Sequence, residues 1–298
     1  MSHNPNDPHA GAFALPCGGV LALDGPEAEA FAHAQFMSDV KALAPGHWHW
    51  SGWLTPKGRV IALFALLRPA PGRLRLWLPD HPAAALGDAL RRYVFRAKVA
   101  ITVDAGLAAS AAFAAAPAAG DALAAFDGDS RFALDLGGDG LPRTLHLDPP
   151  GAGHREDPAA AERWRAADFR LGLPRLDPAL DEAWTPQMLS LDRLGAYSVK
   201  KGCYPGQEIV ARTHFLGQAK RGLVALEGEA LAAGDAVLDA GGATLGQVLC
   251  AAGATGARIG LAVLPLERGD GPLATARADA PPVPARAIAF TDGLRRTP

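Results

Sequence analysis

The sequence predicts an α+β protein built on antiparallel sheets, followed by a small all-β domain. Three observations carry that expectation. Arg73-Leu74-Arg75-Leu76-Trp77-Leu78 alternates as a half-buried strand of an antiparallel sheet does. Helix starts stand at Asp24-Gly25-Pro26-Glu27 and at Asp157-Pro158, each setting a capping residue and a proline ahead of a periodic run. From Arg221 onward the chain turns to short apolar runs split by Gly-, Asp- and Pro-bearing turns, the cadence of a barrel or sandwich.

In chain order, residues 18–23 read as a strand and 26–37 as a helix, with Phe31, Ala34 and Gln35 facing inward. Trp48, Trp50 and Trp53 lie on a strand-like segment, where residues two apart share a face. That face is either packed core or a wall for a planar ligand. Residues 55–59 form a tight turn into a buried strand over 60–67. A helix from Asp80 to about Tyr93 and a strand over 97–103 follow. Residues 106–129 are alanine-rich and read as mixed strand and helix, and 144–147 as a short strand. The helix after Asp157 ends at Gly172, and 173–186 looks irregular. Strands are expected at 223–226, 236–238, 246–249, 258–264 and 285–290, with Pro281-Pro282-Val283-Pro284 as a loop. The expected division is a flexible start over 1–15, an α+β region over 16–220 of two interleaved subdomains with their boundary near 104–142, and the β domain over 221–298.

Composition narrows the function classes. With 49% hydrophobic and 20% charged residues, the chain of 298 residues matches an ordinary globular protein. A formal charge of −2 excludes a generally basic surface, so nucleic acid would need a local patch. Cys17, Cys203 and Cys250 are scattered and odd in number, which points to a reducing compartment and away from a disulfide framework. Without a signal pattern or a long apolar run, no membrane span is expected and the location reads as cytoplasmic.

Chemistry concentrates in Lys200-Lys201-Gly202-Cys203-Tyr204-Pro205-Gly206-Gln207-Glu208-Ile209-Val210-Ala211-Arg212, a turn leading into a helix. A cysteine ahead of a helix N-terminus and beside two lysines suits an activated thiol; a small residue in a tight turn is the plainer account. Gln207 and Glu208 suit the first helical turn, and Arg212 can pair with Glu208 four residues earlier. Lys57-Gly58-Arg59 and Arg91-Arg92 with Arg96 and Lys98 are basic clusters that would form an anion site only if they converged with Lys200 and Lys201. No histidine spacing suits a metal, and no phosphate loop, nucleophile elbow or dinucleotide fingerprint occurs.

Lys201-Gly202-Cys203-Tyr204-Pro205-Gly206-Gln207-Glu208 resembles the K-G-C-x-x-G-Q-E signature of the YgfZ family of folate-binding proteins, relatives of the glycine-cleavage aminomethyltransferase. Further similarity runs along nearly the whole chain: Leu23 to Ala28 with Phe31, Gln35, Asp39 and Val40; Leu54 to Val60; Tyr93 to Val99; Arg170 to Pro174; and Pro186-Gln187. One departure is His33-Ala34, where the family has a Gln-Gly pair. The resemblance implies a ring of α+β subdomains around a central pocket for tetrahydrofolate, closed by a C-terminal β-barrel. It implies Cys203 and Lys201 as the chemical pair. It also implies folate contacts from Lys200, Gly202, Tyr204, Gly206, Gln207, Glu208, Arg212, Gln35, Lys57, Arg59 and Trp50. The implied role is support of iron–sulfur protein assembly or repair and thereby of tRNA modification. The implied partners are folate and iron–sulfur client or assembly proteins, with direct tRNA contact a lesser expectation and a monomer the expected state. The alternative is an aminomethyltransferase-like one-carbon transferase. Transferases of that type carry acidic residues after the early hairpin, whereas Ile61, Ala62 and Leu63 here are apolar.

Overall fold

The computed structural model describes residues 11–126, 130–151, 155–176, 182–217, 219–277 and 280–296. Among the described residues, two five-stranded antiparallel sheets and a closed six-stranded barrel make up the β-structure. The first sheet is formed by β2 (Gly19–Asp24), β3 (His47–Leu54), β4 (Val60–Ala70), β5 (Arg73–Leu78) and β6 (Ala100–Val103), in the order β3-β4-β5-β2-β6. The second is formed by β1 (Phe13–Ala14), β7 (Ala108–Ala112), β8 (Ala124–Phe126), β9 (Arg131–Asp135) and β10 (Thr144–Asp148), in the order β1-β7-β10-β9-β8. Of the start expected to be flexible, residues 1–10 lie outside the described residues, and Phe13 and Ala14 pair with Ala111 and Ser110.

Four helices pack on these sheets among the described residues: α1 (Ala28–Gln35), α2 (Ala83–Arg91), α3 (Pro158–Arg170) and α4 (Gln207–Phe215). Asp157 caps α3 by accepting from the Ala160 N–H at 2.9 Å, as its Asp-Pro start predicts. The start of α1 differs from expectation. Asp24 pairs with Arg75 at 2.7 Å instead of capping, and the helix begins only at Ala28. Its buried face is Ala28, Phe31 and Ala32, while Ala34 is exposed.

The alternation along β3 divides the tryptophans. Trp48 and Trp50 point to the core shared by all three units and meet edge to face at 5.6 Å. Trp53 points to the opposite core, under α1 and α2. The shared core runs from Trp77 in the first sheet through Phe132 and Leu145 in the second to Leu223 and Leu261 in the barrel. A buried ion network ties its rim together: Asp168 of α3 accepts from Arg143 at 2.7 Å and from Arg175 at 2.9 Å, and Arg175 also reaches Asp80 at 2.8 Å.

The barrel contains β11 (Arg221–Gly228), β12 (Ala236–Leu238), β13 (Thr244–Ala252), β14 (Arg258–Pro265), β15 (Leu273–Arg277) and β16 (Ala280–Ile288). The Pro-rich stretch expected as a loop lies inside β16, and β15 was not expected at all. Pro284 stands opposite Ala274 beside a register shift between Thr275 and Arg277, and such irregular edges accept residues that lack a ladder donor. In the alanine-rich stretch, β7 and β8 form, with no helix among the described residues. After β16 the chain leaves the barrel and enters the centre. The Trp50 Nε1–H donates to the Leu294 carbonyl at 3.2 Å, and the Arg296 guanidinium lies 5.4 Å from the Trp48 ring centroid and donates to the Asp135 carbonyl at 2.7 Å.

Candidate functional site

The signature stretch is docked against the first sheet at three points. Ser198 begins it: its N–H donates to the Met37 carbonyl at 2.8 Å, and its hydroxyl oxygen accepts from the N–H groups of Lys200 at 3.2 Å and Lys201 at 3.3 Å. Lys201 makes the second point. Its side chain is buried, and its ammonium donates to the Phe36 carbonyl at 2.6 Å and to the His33 carbonyl, the free carbonyls at the C-terminal end of α1. The same ammonium sits 4.6 Å from the Tyr204 ring centroid. Burial lowers its pKa to about 8, against the pull of Asp39.

The third point is a meeting of two glycines. Gly206 has φ 80°, and a Cβ there would stand 2.6 Å from the Thr55 carbonyl oxygen and 2.7 Å from Gly58 Cα. Gly58, at φ 69° in the hairpin between β3 and β4, packs in turn on Ile209. Only glycine supplies both the left-handed backbone and the missing side chain at this approach. Gly206 is also the residue that opens α4. Gln207 then folds back, its Nε2 donating to the Lys201 carbonyl at 3.1 Å, and the Tyr204 hydroxyl donates to the Ser198 carbonyl at 3.2 Å. Burial raises the pKa of that phenol.

What the docked turn presents outward is Lys200, Gly202 and Cys203, all exposed. Gly202 differs from Gly206: among the described residues nothing lies within 4 Å of its would-be Cβ, so neither packing nor a left-handed backbone explains it. Glu208 and Arg212 are exposed on α4 and form no ion pair with each other, contrary to the helix-pair expectation. Lys57, beside Gly58 in the hairpin that meets Gly206, is exposed.

Two expected ligand contacts and the lysine of the expected chemical pair are otherwise engaged. Trp50 is fully buried in the central core and hydrogen-bonded to Leu294, so the packed-core reading of its face holds. Arg59 donates to the Ala183 carbonyl at 3.0 Å and approaches the Met188 sulfur at 3.8 Å, bracing the hairpin against the segment that leads to the signature. Lys201 is the clamp already described. Gln35 retains capacity: its Oε1 is buried with no hydrogen-bond partner among the described residues, one residue from the Phe36 carbonyl that holds Lys201.

Comparison with known proteins bears on this geometry. No protein-family model matches the chain. A curated protein, the tRNA-modifying protein YgfZ of Klebsiella pneumoniae (strain 342), is 29% identical over 227 residues, covering 70% of this chain and 68% of that protein. Among solved structures, the glycine cleavage system aminomethyltransferase T from Bartonella henselae superposes with a TM-score of 0.74 at 16% identity, covering 96% of this chain and 87% of that one. In sequence the chain is similar to YgfZ, and its fold is that of the aminomethyltransferase.

In this chain the positions after the early hairpin are apolar in space as well as in sequence. Ala62 and Leu63 are buried in the sheet, with no carboxylate at either position. Sequence reasoning missed Ser198, though a serine ahead of two lysines is a turn-forming signal. It also missed the buried chain Ser38, His49 and Ser51, in which His49 Nε2 lies 2.9 Å from the Ser38 hydroxyl and burial lowers the imidazole to about 4. The C-terminal residues Leu294 and Arg296 carried no signal, because a run with few apolar residues gives no period to read. No helix among the described residues is long and apolar enough to cross a membrane.

Proposed function

We propose that this chain is a tetrahydrofolate-binding accessory protein that supports the assembly or repair of iron–sulfur proteins and, through them, tRNA modification. One observation carries the reading: the signature turn is held rigidly by Lys201 and the Gly206–Gly58 contact, yet it holds Cys203 out in the open. Such a thiol can meet a partner protein without rearrangement of the fold. The homologue's name, a tRNA-modifying protein, supplies the process.

The residues present fit a folate in part. Gln35 Oε1 is an unsatisfied buried acceptor suited to a pterin amino group, and exposed Lys57 and Lys200 suit glutamate carboxylates. When bound, tetrahydrofolate would supply a carrier for a one-carbon unit. Lys201, Arg59 and Trp50 contribute by positioning these groups, since their own polar atoms are engaged within the fold. Outright one-carbon transfer, the reading that the aminomethyltransferase fold suggests, lacks a carboxylate at residues 61–63 to move the amine proton.

Calorimetry and thermal shift with tetrahydrofolate and its polyglutamates test the ligand, with binding expected and weakened by Gln35→Leu. Deletion of the gene, followed by assays of iron–sulfur enzymes and complementation with Cys203→Ala, tests the role. Normal cluster-enzyme activity in the deletion strain would sink it, and methylene transfer by the purified chain would replace it with the transferase reading.

A further inference from the structure

The loop joining α2 to β6 serves nothing described so far. It contains Arg92, Tyr93, Val94, Phe95, Arg96, Ala97 and Lys98. Its backbone is pinned at both ends: the Tyr93 N–H donates to the Leu90 carbonyl at 2.9 Å, and the Lys98 N–H donates to a Glu27 carboxylate oxygen at 2.7 Å. Val94 and Ala97 pack on the core beneath α1 and α2, and the Tyr93 ring meets Trp53 edge to face at 5.8 Å. At the tip of this anchored loop Phe95 is nonetheless 90% exposed, and Tyr93 is 48% exposed.

The charged side chains of residues 92–98 are all cationic, with the Glu27 carboxylate at the Lys98 end. Arg91 is engaged by Asp88 and by the Ile101 carbonyl. Arg92, Arg96 and Lys98 are exposed and form no ion pair among the described residues, and the Arg96 guanidinium lies 5.8 Å from the Phe95 centroid. A solvent-facing ring on a pinned backbone, in a short loop whose three exposed cations form no ion pair among the described residues, is the arrangement that stacks an unpaired base while its phosphates meet the charges. A lipid surface fits less well, because Phe95 alone stands clear and Tyr93 is half held against Trp53.

We propose that this loop is a docking site for single-stranded RNA, with Phe95 stacking on a base and Arg92, Arg96 and Lys98 facing the flanking phosphates. The choice of RNA rests on the tRNA-related reading above; the geometry of the loop does not. Fluorescence anisotropy of the full chain with a labelled, unpaired oligoribonucleotide tests it, beside the same sequence closed into a duplex and vesicles containing phosphatidylserine. The unpaired strand should bind best, and its log K should fall with log salt at a slope of about −2 for three neutralised phosphates. Phe95→Ala should weaken binding roughly ten- to hundredfold, Phe95→Trp should retain it, and Arg96→Ala with Lys98→Ala should flatten the slope by about 1.4. Because Phe95 touches little else, Phe95→Ala should keep the thermal midpoint of the parent.

No binding at about 50 mM salt, where phosphate contacts are strong, overturns the proposal. So does equal binding by Phe95→Ala, or vesicle association that depends on Phe95 while RNA is ignored. Thermal shift with tetrahydrofolate on the same proteins separates the two readings. A parent chain indifferent to folate but dependent on Phe95 for RNA upholds the loop and removes the folate role.

Discussion

Gly206→Ala isolates the contact that holds the signature in place. The backbone there has φ 80°, which costs a residue with a Cβ about 1–2 kcal/mol. The added methyl would stand 2.6 Å from the Thr55 oxygen and 2.7 Å from Gly58 Cα, both backbone atoms, so no rotamer change relieves it. Moving a packed turn to admit one carbon adds about 1–3 kcal/mol, for a total of about 2–5 kcal/mol. Gly58→Ala should cost somewhat less, because its closest neighbour is the Ile209 side chain at 2.9 Å. The two together should cost less than their sum, since one displacement of the hairpin relieves both clashes. Gly202→Ala is the internal control: with open space at its Cβ and an ordinary φ, it should shift stability by less than about 0.5 kcal/mol. Urea midpoints at constant m measure all four proteins. A Gly206→Ala chain as stable as its parent, or a Gly202→Ala chain as damaged as Gly206→Ala, refutes the docking argument.

Other outcomes follow from neighbouring contacts. Lys201→Met keeps the stem but strands the His33 and Phe36 carbonyls, so urea unfolding should register a loss of about 1–3 kcal/mol. Asp168→Leu leaves Arg143 and Arg175 without their shared carboxylate and should cost about 3–5 kcal/mol by the same measurement. His49 is buried neutral, with its pKa lowered to about 4 from 6.5. Between those values the unfolded chain holds the extra proton, so stability falls as pH drops through that window, by about 3 kcal/mol in all. His49→Gln should flatten that slope in urea titrations from pH 7.5 to 4; equal slopes would assign the loss to other groups. Finally, burial pushes Cys17 up and Cys250 up to about 12, whereas Cys203 is exposed. Maleimide labelling of the folded chain, read by mass spectrometry, should therefore mark Cys203 first; prior labelling of Cys17 or Cys250 would contradict the burial described.

The legible parts of the fold were those with a local cause. Alternation located β5 to the residue, and the Asp-Pro pair located α3, because a strand face and a helix cap are properties of a few adjacent residues. What escaped was decided at a distance. Asp24 is drawn to Arg75 across the sheet and the helix starts only at Ala28, and β16 takes up three prolines because they stand where it pairs with β15 alone, ahead of its pairing with β11 over 285–288. The path of the last residues to Trp50 depends on a carbonyl at Leu294 that no pattern announces.

The same distinction changes the chemistry of the site. Adjacent lysines beside a cysteine suggest two cations acting on one thiol. In space the pair divides: Lys201 turns inward, its charge held by the carbonyls that close α1, and Lys200 alone remains exposed beside Cys203. Lys201 thus couples the pose of the thiol to the end of α1, where Gln35 keeps an unpaired acceptor. A ligand gripped by Gln35 would pull on the helix end whose carbonyls Lys201 holds, and so on the turn that carries Cys203. That linkage, two hydrogen bonds long, gives the folate reading a physical route from the bound carrier to the exposed thiol without either touching the other.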